Sequence, residues 1–313
     1  MSARLIVVSN RVAVPGVPRA PIAGGMAVAV KAALKKRNAV WFGWSGEVAD
    51  GAKAESRTAR VNNIDYMFFD LNAVDIQEYY SGFAKNVLWP VLHYRVDLQK
   101  YSRLDASGYL RVNHLFADRL SLLLDDDAAV WVHDYHLMPL ARELRSRGRR
   151  NAIGFFLHAP CAPPDVLQAM PSHNEILGSL AHYNLVGFQT ENDRDNFERY
   201  LVARGAEPIR DGALKVGQRR VRLGAFPVGI ETATYRRLAR AAARSALIRH
   251  VGRSLGDCQS ARKRTPGSAC KRDPLVDDGS RRQRSPRRSW LGLGSRGERG
   301  SLKSRLLKIR RGS

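Results

Sequence analysis

The sequence predicts an α/β fold built on a parallel sheet with helices on both faces. Short apolar runs alternate along the chain with longer amphipathic stretches, and the runs lack the period-two alternation of strands with one wet face. Runs of this length suit strands covered on both faces, and the stretches between them suit crossover helices. The 313 residues leave room for one large domain or two ordinary ones.

The same pattern places the individual elements. In chain order, strands are predicted at residues 4–8, 129–132, 153–157 and 185–188, and helices at residues 26–36, 137–147 and 192–203. Ligands of such sheets bind beyond the carboxyl ends of the strands, so the chemistry should follow the apolar runs directly.

Polar residues follow three of the predicted strands. They are Ser9-Asn10-Arg11, His133-Asp134-Tyr135-His136 and His158-Ala159-Pro160. A single polar strand end is explained equally well by contact with solvent. Three at one predicted edge favour a site.

Candidate ligand-binding groups occur in these segments. Gly24 and Gly25 separate the first strand from a helix, where free backbone amides favour a phosphate, although most such pairs only mark turns. Arg11 has the planar guanidinium that suits a phosphorylated sugar, or is simply exposed. Asp134 directly follows a buried strand, where a carboxylate can accept sugar hydroxyls or act as a base.

Two other patterns have competing interpretations. The aromatic stretch that contains Tyr80 and Trp89 suits sugar faces, yet its spacing alone favours a core. His133, Asp134 and His136 resemble metal ligands in type. We reject a metal site, because three residues on one turn rarely direct their side chains to one point.

The end of the chain differs in composition. Residues 251–313 hold 18 of the 52 Lys and Arg residues but only 5 of the 29 Asp and Glu residues. From residue 257 no apolar periodicity persists, so we expect disorder. Such a tail could bind nucleic acid non-specifically, but Trp290 is the only aromatic residue of 279–312. A solvated tail without a specific nucleic-acid partner is the interpretation we favour.

Composition also bears on location. No stretch approaches the ~18–20 consecutive apolar residues of a membrane span, and the first residues lack the pattern of a signal peptide. The three cysteines, Cys161, Cys258 and Cys270, fit neither a disulfide framework nor a zinc site. We expect a cytoplasmic protein with reduced cysteines.

A succession of longer motifs resembles the trehalose-6-phosphate synthase family from residue 4 to about 231. The motifs, in unbroken order, are SNRVA, the Gly24-Gly25 pair, WFGWSGE, YYSGFAKNVLWPVLHYR, GYLRVNHLFADRL, WVHDYHLMPLARELR, IGFFLHAP, GFQTENDRDNF and FPVGIE. Several are six or more residues long, and amphipathic repetition explains none of them.

The resemblance implies a fold and a reaction. The fold is the GT-B type, in which two Rossmann-like domains face each other across a cleft. The reaction is transfer of glucose from UDP-glucose to glucose 6-phosphate, with retention at the donor anomeric carbon, giving trehalose 6-phosphate and UDP. The resemblance implies no metal and no other cofactor. Amides and cations would stabilise the leaving diphosphate.

Site residues carry over position by position. The resemblance implies that Arg11, Tyr80 and Asp134 bind glucose 6-phosphate.

It further implies that Gly24 and Gly25 approach the diphosphate of UDP-glucose. Trp89 and His158 would shape the pocket around the reacting sugars and select the anomer. Asp134 and His158 are the implied catalytic residues.

Two departures stand out. LHAPCAPPDVL resembles the family's His-x-Pro-Phe-Pro-x-Pro-Glu, with Cys161 in place of the usual aromatic and Ala159 in place of a larger residue. After Glu231, nothing matches the family's donor-side Arg-Leu-Asp-Tyr-x-Lys-Gly and Asp-Gly-Met-Asn-Leu segments. The Arg/Ser/Gly composition after residue 256 resembles out-of-frame translation of a GC-rich region.

These departures set the expected organisation. Residues 1–231 would form the acceptor-binding Rossmann-like domain, 232–256 a helix toward the second domain and 257–313 a basic tail, with the second domain largely missing. Two functions stay open: the synthase itself, and a catalytically inactive fragment that binds glucose 6-phosphate or associates with an intact synthase. Self-association into a homo-oligomer also stays open.

Overall fold

A computed structural model describes residues 4–12, 14, 25–34, 38–49, 56–229 and 232–244. Those up to Val228 belong to one compact unit, and the remaining ones belong to a second. Strands of the first unit are β1 (Leu5–Arg11), β2 (Ala39–Val48), β3 (Arg57–Val61), β4 (Ile64–Leu71), β5 (Ala129–His133), β6 (Ala152–Phe156), β7 (Leu185–Phe188), β8 (Glu207–Ile209), β9 (Ala213–Val216) and β10 (Arg219–Ala225).

The described helices belong to both units. In the first unit they are α1 (Gly25–Leu34), α2 (Ala73–Asp75), α3 (Trp89–Leu92), α4 (Arg103–Ser121), α5 (Leu140–Ser146), α6 (Pro164–Leu167), α7 (His173–Gly178) and α8 (Glu191–Val202). A π-helix, Ile76–Leu88, joins α2 to α3. Four 3₁₀ turns cover Val96–Leu98, Tyr135–Leu137, Ser179–His182 and Arg210–Gly212. The second unit contains α9 (Thr232–Ala243).

The strands form one sheet in the order β3-β4-β2-β1-β5-β6-β7-β10-β9-β8. The seven strands from β4 to β10 in this order run parallel, which confirms the α/β class. At the edges the sheet is mixed, because β3, β9 and β8 pair antiparallel. Short turns of two or three residues cause this, since a hairpin reverses the chain where a crossover would not.

The predicted elements are present with shifted ends. All four predicted strands match β1, β5, β6 and β7, and three predicted helices match α1, α5 and α8 within a few residues. Of the helix that the resemblance implies at 232–256, the structure describes α9, and residues 245–256 and the predicted tail at 257–313 lie outside the described residues. β2, β3, β4, β8, β9, β10, α4 and the π-helix were not predicted.

The core explains why the central strands carry no polar alternation. The side chains of Ile6, Val7 and Val8 in β1 are fully buried, because helices cover both faces of the sheet. One layer contains Phe42, Phe69 and Phe116, whose rings meet edge-on or tilted. Such contacts add to the burial of aromatic area.

Ion pairs hold the π-helix against α4, and a side-chain cap marks the start of α4. The guanidinium of Arg111 in α4 contacts the carboxylates of Asp75 and Glu78 at 2.6 and 2.7 Å. Ser102 caps α4 by accepting a hydrogen bond from the Asp105 backbone N–H. π-Helical segments are rare and frequently occur at functional sites. This one contains Tyr80.

No helix in the described part of the chain is long and apolar enough to cross a membrane.

Candidate active site

The carboxyl ends of β1, β5 and β6 lie side by side in the sheet. Arg11 ends β1, Asp134 directly follows β5, and His158 follows β6 after one residue. The structure therefore brings together the three polar segments that the sequence placed after separate strands. We call this edge, with Arg11, Tyr80, Asp134, His136 and His158, the carboxyl-edge site.

Asp134 has an unusual backbone. Its φ of 72° with ψ of 165° is a combination that only glycine adopts easily, at a cost of order 1–3 kcal/mol for other residues. Its N–H donates to the Phe156 carbonyl at 2.8 Å, which fixes the turn to β6. Strain of this kind clusters at active sites, because the surrounding structure must hold it in place.

The Asp134 carboxyl group is buried at this turn. Burial raises its pKa to about 6, although the backbone N–H groups of Tyr135, His158 and Ala159 pull the pKa down. Its Oδ1 is buried without a hydrogen-bond partner among the described residues. A buried acceptor in this state is suited to a ligand hydroxyl.

His158 pairs with His133 at the ends of β6 and β5. The Nδ1 of His133 lies 3.0 Å from the Nε2 of His158, and the rings stack at 5.2 Å. Burial lowers the pKa of His158 to about 4 and that of His133 well below its ordinary value. Both rings are neutral near pH 7, so one nitrogen of the pair carries the shared proton.

Arg11 lies across an aromatic ring. Its guanidinium carbon is 5.1 Å from the centroid of Trp44, an arrangement that supports a cation–π interaction. A Cβ at Gly46, whose φ is 95°, would come within 2.1 Å of the guanidinium, so only glycine fits there. Among the described residues, no partner reaches the buried Nε of Arg11.

Tyr80 links Arg11 to the turn after β5. Its ring meets Trp44 edge-on at 5.9 Å and stacks on His136 at 5.7 Å. The Lys85 ammonium lies 4.7 Å from the Tyr80 ring centroid. Burial, helped by the charge of Lys85, lowers the pKa of His136 to about 3, so this ring is neutral.

Two tyrosines behind this surface hold its backbone in place. The Tyr79 hydroxyl donates to Asn10 Oδ1 at 2.9 Å, next to Arg11. The Tyr109 hydroxyl donates to the Tyr135 carbonyl at 2.7 Å, next to Asp134. Both tyrosines are fully buried. The core interpretation of the aromatic stretch therefore holds for Tyr79, while Tyr80 is only partly buried.

Trp89 ends the π-helical region and is 43% exposed. Its ring stacks on His93 at 4.3 Å, and the charge of His93 lowers the pKa of Asp134. Trp89 therefore presents an aromatic face to solvent.

The remaining sequence candidates are only partly described. Gly24 lies outside the described residues, and Gly25 begins α1. Cys161 and Ala159, the two positions that depart from the family motif, are buried. The Cys161 N–H donates to Asp193 Oδ1 at 2.8 Å, so this segment is anchored to α8.

Several residues of this surface were not predicted. Trp44, Gly46, Lys85 and His93 contact the predicted residues, yet none of them follows a predicted strand. Trp44 lies near the carboxyl end of β2, so recognising WFGW as a strand would have found it.

The arrangement combines fixed cations, an acceptor carboxylate and neutral aromatic faces. Arg11 and Lys85 can bind an anion, and Asp134 can accept hydroxyl hydrogen bonds. The neutral rings of His136 and His158 offer nitrogen donors or acceptors. In the described residues, no group of three His, Cys, Asp or Glu side chains is arranged to hold a metal ion. The surface is thus suited to a phosphorylated polyhydroxy compound.

Comparison with known proteins gives a family match. The sequence model of glycosyltransferase family 20 matches residues 6–257. The chain is 44% identical over 255 residues to the trehalose-6-phosphate synthase of Sinorhizobium fredii, covering 80% of this chain and 55% of that protein. It spans about half the length of the curated relatives it matches.

Solved structures agree with this match. An α,α-trehalose-phosphate synthase (UDP-forming) from Burkholderia xenovorans, in complex with glucose-6-phosphate, superposes with a TM-score of 0.74 at 40% identity, over 81% of this chain and 56% of that one. The E. coli protein bound with UDP-2-fluoro glucose gives 0.69 at 43% identity, over 74% and 50%. These neighbours have the GT-B fold, as the sequence motifs implied.

Proposed function

The chain belongs to glycosyltransferase family 20, and from that premise we propose that its carboxyl-edge site binds glucose 6-phosphate as a glycosyl acceptor. The complete reaction in this proposal is the retaining transfer of glucose from UDP-glucose, which gives trehalose 6-phosphate and UDP. The observation that carries the proposal is that Arg11, Tyr80 and Asp134 lie together at the carboxyl edge of the sheet. No metal or other cofactor is part of the proposal.

Arg11 is the proposed phosphate ligand. Its guanidinium is held against Trp44 and has a buried Nε without a partner in the described residues, so donors remain for an anion. Charge-assisted hydrogen bonds to phosphate contribute about 1.5–3 kcal/mol each. Tyr80, which contacts the same Trp44 ring, supports the adjoining sugar face.

Asp134 is the proposed ligand of the sugar hydroxyls. With a pKa of about 6 it is mostly ionised at neutral pH, yet basic enough to accept the proton that an acceptor hydroxyl loses as it attacks the donor sugar. His158 adds a neutral imidazole that is oriented by its contact with His133. We assign Asp134 and His158 the catalytic roles at the acceptor.

The proposal extends to the donor side. Gly24 and Gly25 are assigned to the diphosphate of UDP-glucose, supported by the start of α1 at Gly25, since the first N–H groups of a helix lack intrahelical partners. Trp89 is assigned to the sugar pocket, supported by its exposed ring.

The alternative is an acceptor-binding fragment without transferase activity, which binds glucose 6-phosphate or associates with an intact synthase. The division into an acceptor domain (1–231), a crossing helix (232–256) and a basic tail (257–313) belongs to the same proposal. Cytoplasmic location, self-association and the lack of a specific nucleic-acid partner stay predictions.

Calorimetry of the full chain with glucose 6-phosphate and UDP-glucose separately, followed by an assay of UDP release with both, tests the proposal. We expect R11Q to weaken glucose 6-phosphate binding by at least about 10-fold, the loss of one charge-assisted contact. R103Q removes an exposed arginine at the start of α4 and serves as the matched control.

Each outcome has one meaning. UDP release above background supports the transferase. Binding of glucose 6-phosphate without binding of UDP-glucose supports the fragment. A folded protein that binds no glucose 6-phosphate, or equal losses in R11Q and R103Q, contradicts the acceptor role.

A further inference from the structure

A second concave surface lies at the opposite edge of the sheet. A cavity of about 310 Å³ opens where β6, β7 and β10 begin. Its lining includes Arg145, Arg150, His182, Asn184, Arg219 and Arg220, and we call it the amino-edge cavity. Its volume is at the small end of the range of ligand pockets, about 300–1,000 Å³.

Arg145 is held in place at this cavity without a carboxylate. Its guanidinium donates to the Arg149 carbonyl at 2.7 Å and to Asn184 Oδ1 at 3.0 Å. The same Asn184 oxygen accepts the backbone N–H of Ile153 at 2.8 Å, which ties it to β6. These bonds use two of the five donors of the guanidinium and leave its charge uncompensated.

The neighbouring arginines add charge of the same sign. Neither Arg150 nor Arg219 forms an ion pair with any residue in the described part of the chain. Arg220 pairs with the exposed Asp211 at 3.1 Å. Three guanidiniums around one cavity therefore lack a carboxylate partner among the described residues.

The lowered pKa values of Arg145 and His182 agree with a positive potential at the cavity. Burial lowers the pKa of Arg145, and the charge of Arg219 lowers it further. Burial also lowers the pKa of His182 to about 4, with contributions from Arg219, Arg142 and Arg145, while its bond to the Ser179 carbonyl raises it. Like charges therefore face each other around the cavity.

We propose that the amino-edge cavity binds a small phosphate-bearing anion, at a site distinct from the carboxyl-edge site. Guanidiniums present paired donors that match phosphate oxygens. A phosphate would relieve the repulsion between Arg145 and Arg219 and use the donors that they have left. The proposal does not depend on the acceptor role of Arg11.

The shape of the surface favours a small anion over nucleic acid. The arginines surround one open depression of about 310 Å³ rather than an extended track, and Tyr183, the tyrosine in the lining, is fully buried. Nucleic-acid surfaces combine extended cationic tracks with aromatic rings that stack on bases. Inorganic phosphate or a phosphorylated metabolite matches a space of this size.

The two sites lie at opposite ends of the parallel strands. β6 and β7 span five and four residues, so their ends are roughly 15 Å apart at about 3.3 Å per residue. A ligand in the amino-edge cavity therefore leaves the carboxyl-edge site open. We expect the two ligands not to compete.

Calorimetry with inorganic phosphate in the R11Q background tests the proposal, because that background removes Arg11, the phosphate ligand proposed at the carboxyl-edge site. Adding R150Q and R219Q should weaken phosphate binding by at least about 10-fold, since each removes a charge-assisted contact. Adding R103Q and R210Q instead removes two exposed arginines outside the cavity and should change binding by less than about 2-fold.

Three results would overturn the proposal: no phosphate binding in the R11Q background, equal weakening by both double variants, or tight binding of a single-stranded oligonucleotide where phosphate does not bind. Thermal melting of every variant confirms that each is folded. Loss of glucose 6-phosphate binding with retained phosphate binding in R11Q separates this site from the acceptor site.

Discussion

The two edges of the sheet show different ways to prepare a surface for a charged ligand. At the carboxyl edge, Asp134 and His158 are partly buried, the backbone of Asp134 is strained, and buried polar atoms lack partners among the described residues. At the amino edge, Arg150 and Arg219 are exposed, and the charge of Arg219 adds to burial in lowering the pKa of Arg145. One edge depends on desolvation and backbone geometry, the other on charge. Only the carboxyl edge fixes the orientation of a bound molecule closely enough for catalysis.

Two histidines make this contrast measurable. The pKa of His158 and that of His182 are both lowered to about 4. For His158 burial is the cause, whereas for His182 arginine charges add to burial. The same lowered pKa thus has different causes in the two histidines. Burial and arginine charge respond differently to salt and to mutation.

The largest effect is expected from D134N. It should weaken glucose 6-phosphate binding by about 10- to 100-fold, because a charged acceptor of hydroxyl hydrogen bonds becomes neutral. At pH 7.5 the free variant should be more stable than the wild type by about 1–3 kcal/mol, since the buried charge is gone. Calorimetry and urea unfolding measure the two changes.

The pH dependence of this gain follows from linkage. The folded-state pKa of Asp134 is raised from 3.8 to about 6, so its favourable contribution to stability is complete below pH 3.8 and lost as pH rises through 6. The advantage of D134N should therefore vanish near pH 4. A gain in stability of D134N that did not change with pH would contradict this expectation. As a control, D193N should be destabilising, because Asp193 accepts the Cys161 N–H and the Thr190 hydroxyl.

A pair of glycine substitutions compares the edges at similar backbone cost. Gly46 and Gly217 both have positive φ, at 95° and 60°, so alanine is strained at either position. At Gly217, before β10, a Cβ meets nothing within 4 Å, whereas at Gly46 it would meet Arg11. G46A should weaken glucose 6-phosphate binding about 10-fold by displacing Arg11, and G217A should lower stability alone.

Calorimetry and thermal melting of both variants check this. Equal binding losses in G46A and G217A would show that backbone strain, and not displacement of Arg11, is responsible. Phosphate binding at the amino-edge cavity should survive in G46A.

The sequence predicted the carboxyl edge better than the amino edge. Arg11, Asp134 and His158 each follow an uninterrupted apolar run, so the rule for parallel sheets placed them together. The amino-edge cavity escaped prediction because Arg145 and Arg219 are far apart in sequence, and single arginines are normally solvated. Their proximity depends on the pairing of β7 with β10.

The missed elements have a similar cause. β9 and β10 are short and polar, and their hairpin depends on Gly217, which the apolar pattern does not register. The π-helix was not predicted, because its hydrogen-bond spacing leaves no simple apolar period. Trp44 lies in a strand whose glycines and tryptophans interrupt the pattern that revealed β1.

The smallest effect is expected in the titration of His182. Because arginine charges contribute to its lowered pKa, R219Q should raise that pKa, and so should a change from 0.01 M to 0.5 M NaCl, which shortens the screening length from about 30 Å to a few ångströms. The pKa of His158 should stay near 4 under both changes, because burial alone lowers it. NMR titration of the ring protons, with R103Q as the control, follows both residues at once. If His158 moved as far as His182, or if neither moved, the amino edge would owe its chemistry to burial as the carboxyl edge does, and the charge-based cavity would lose its basis.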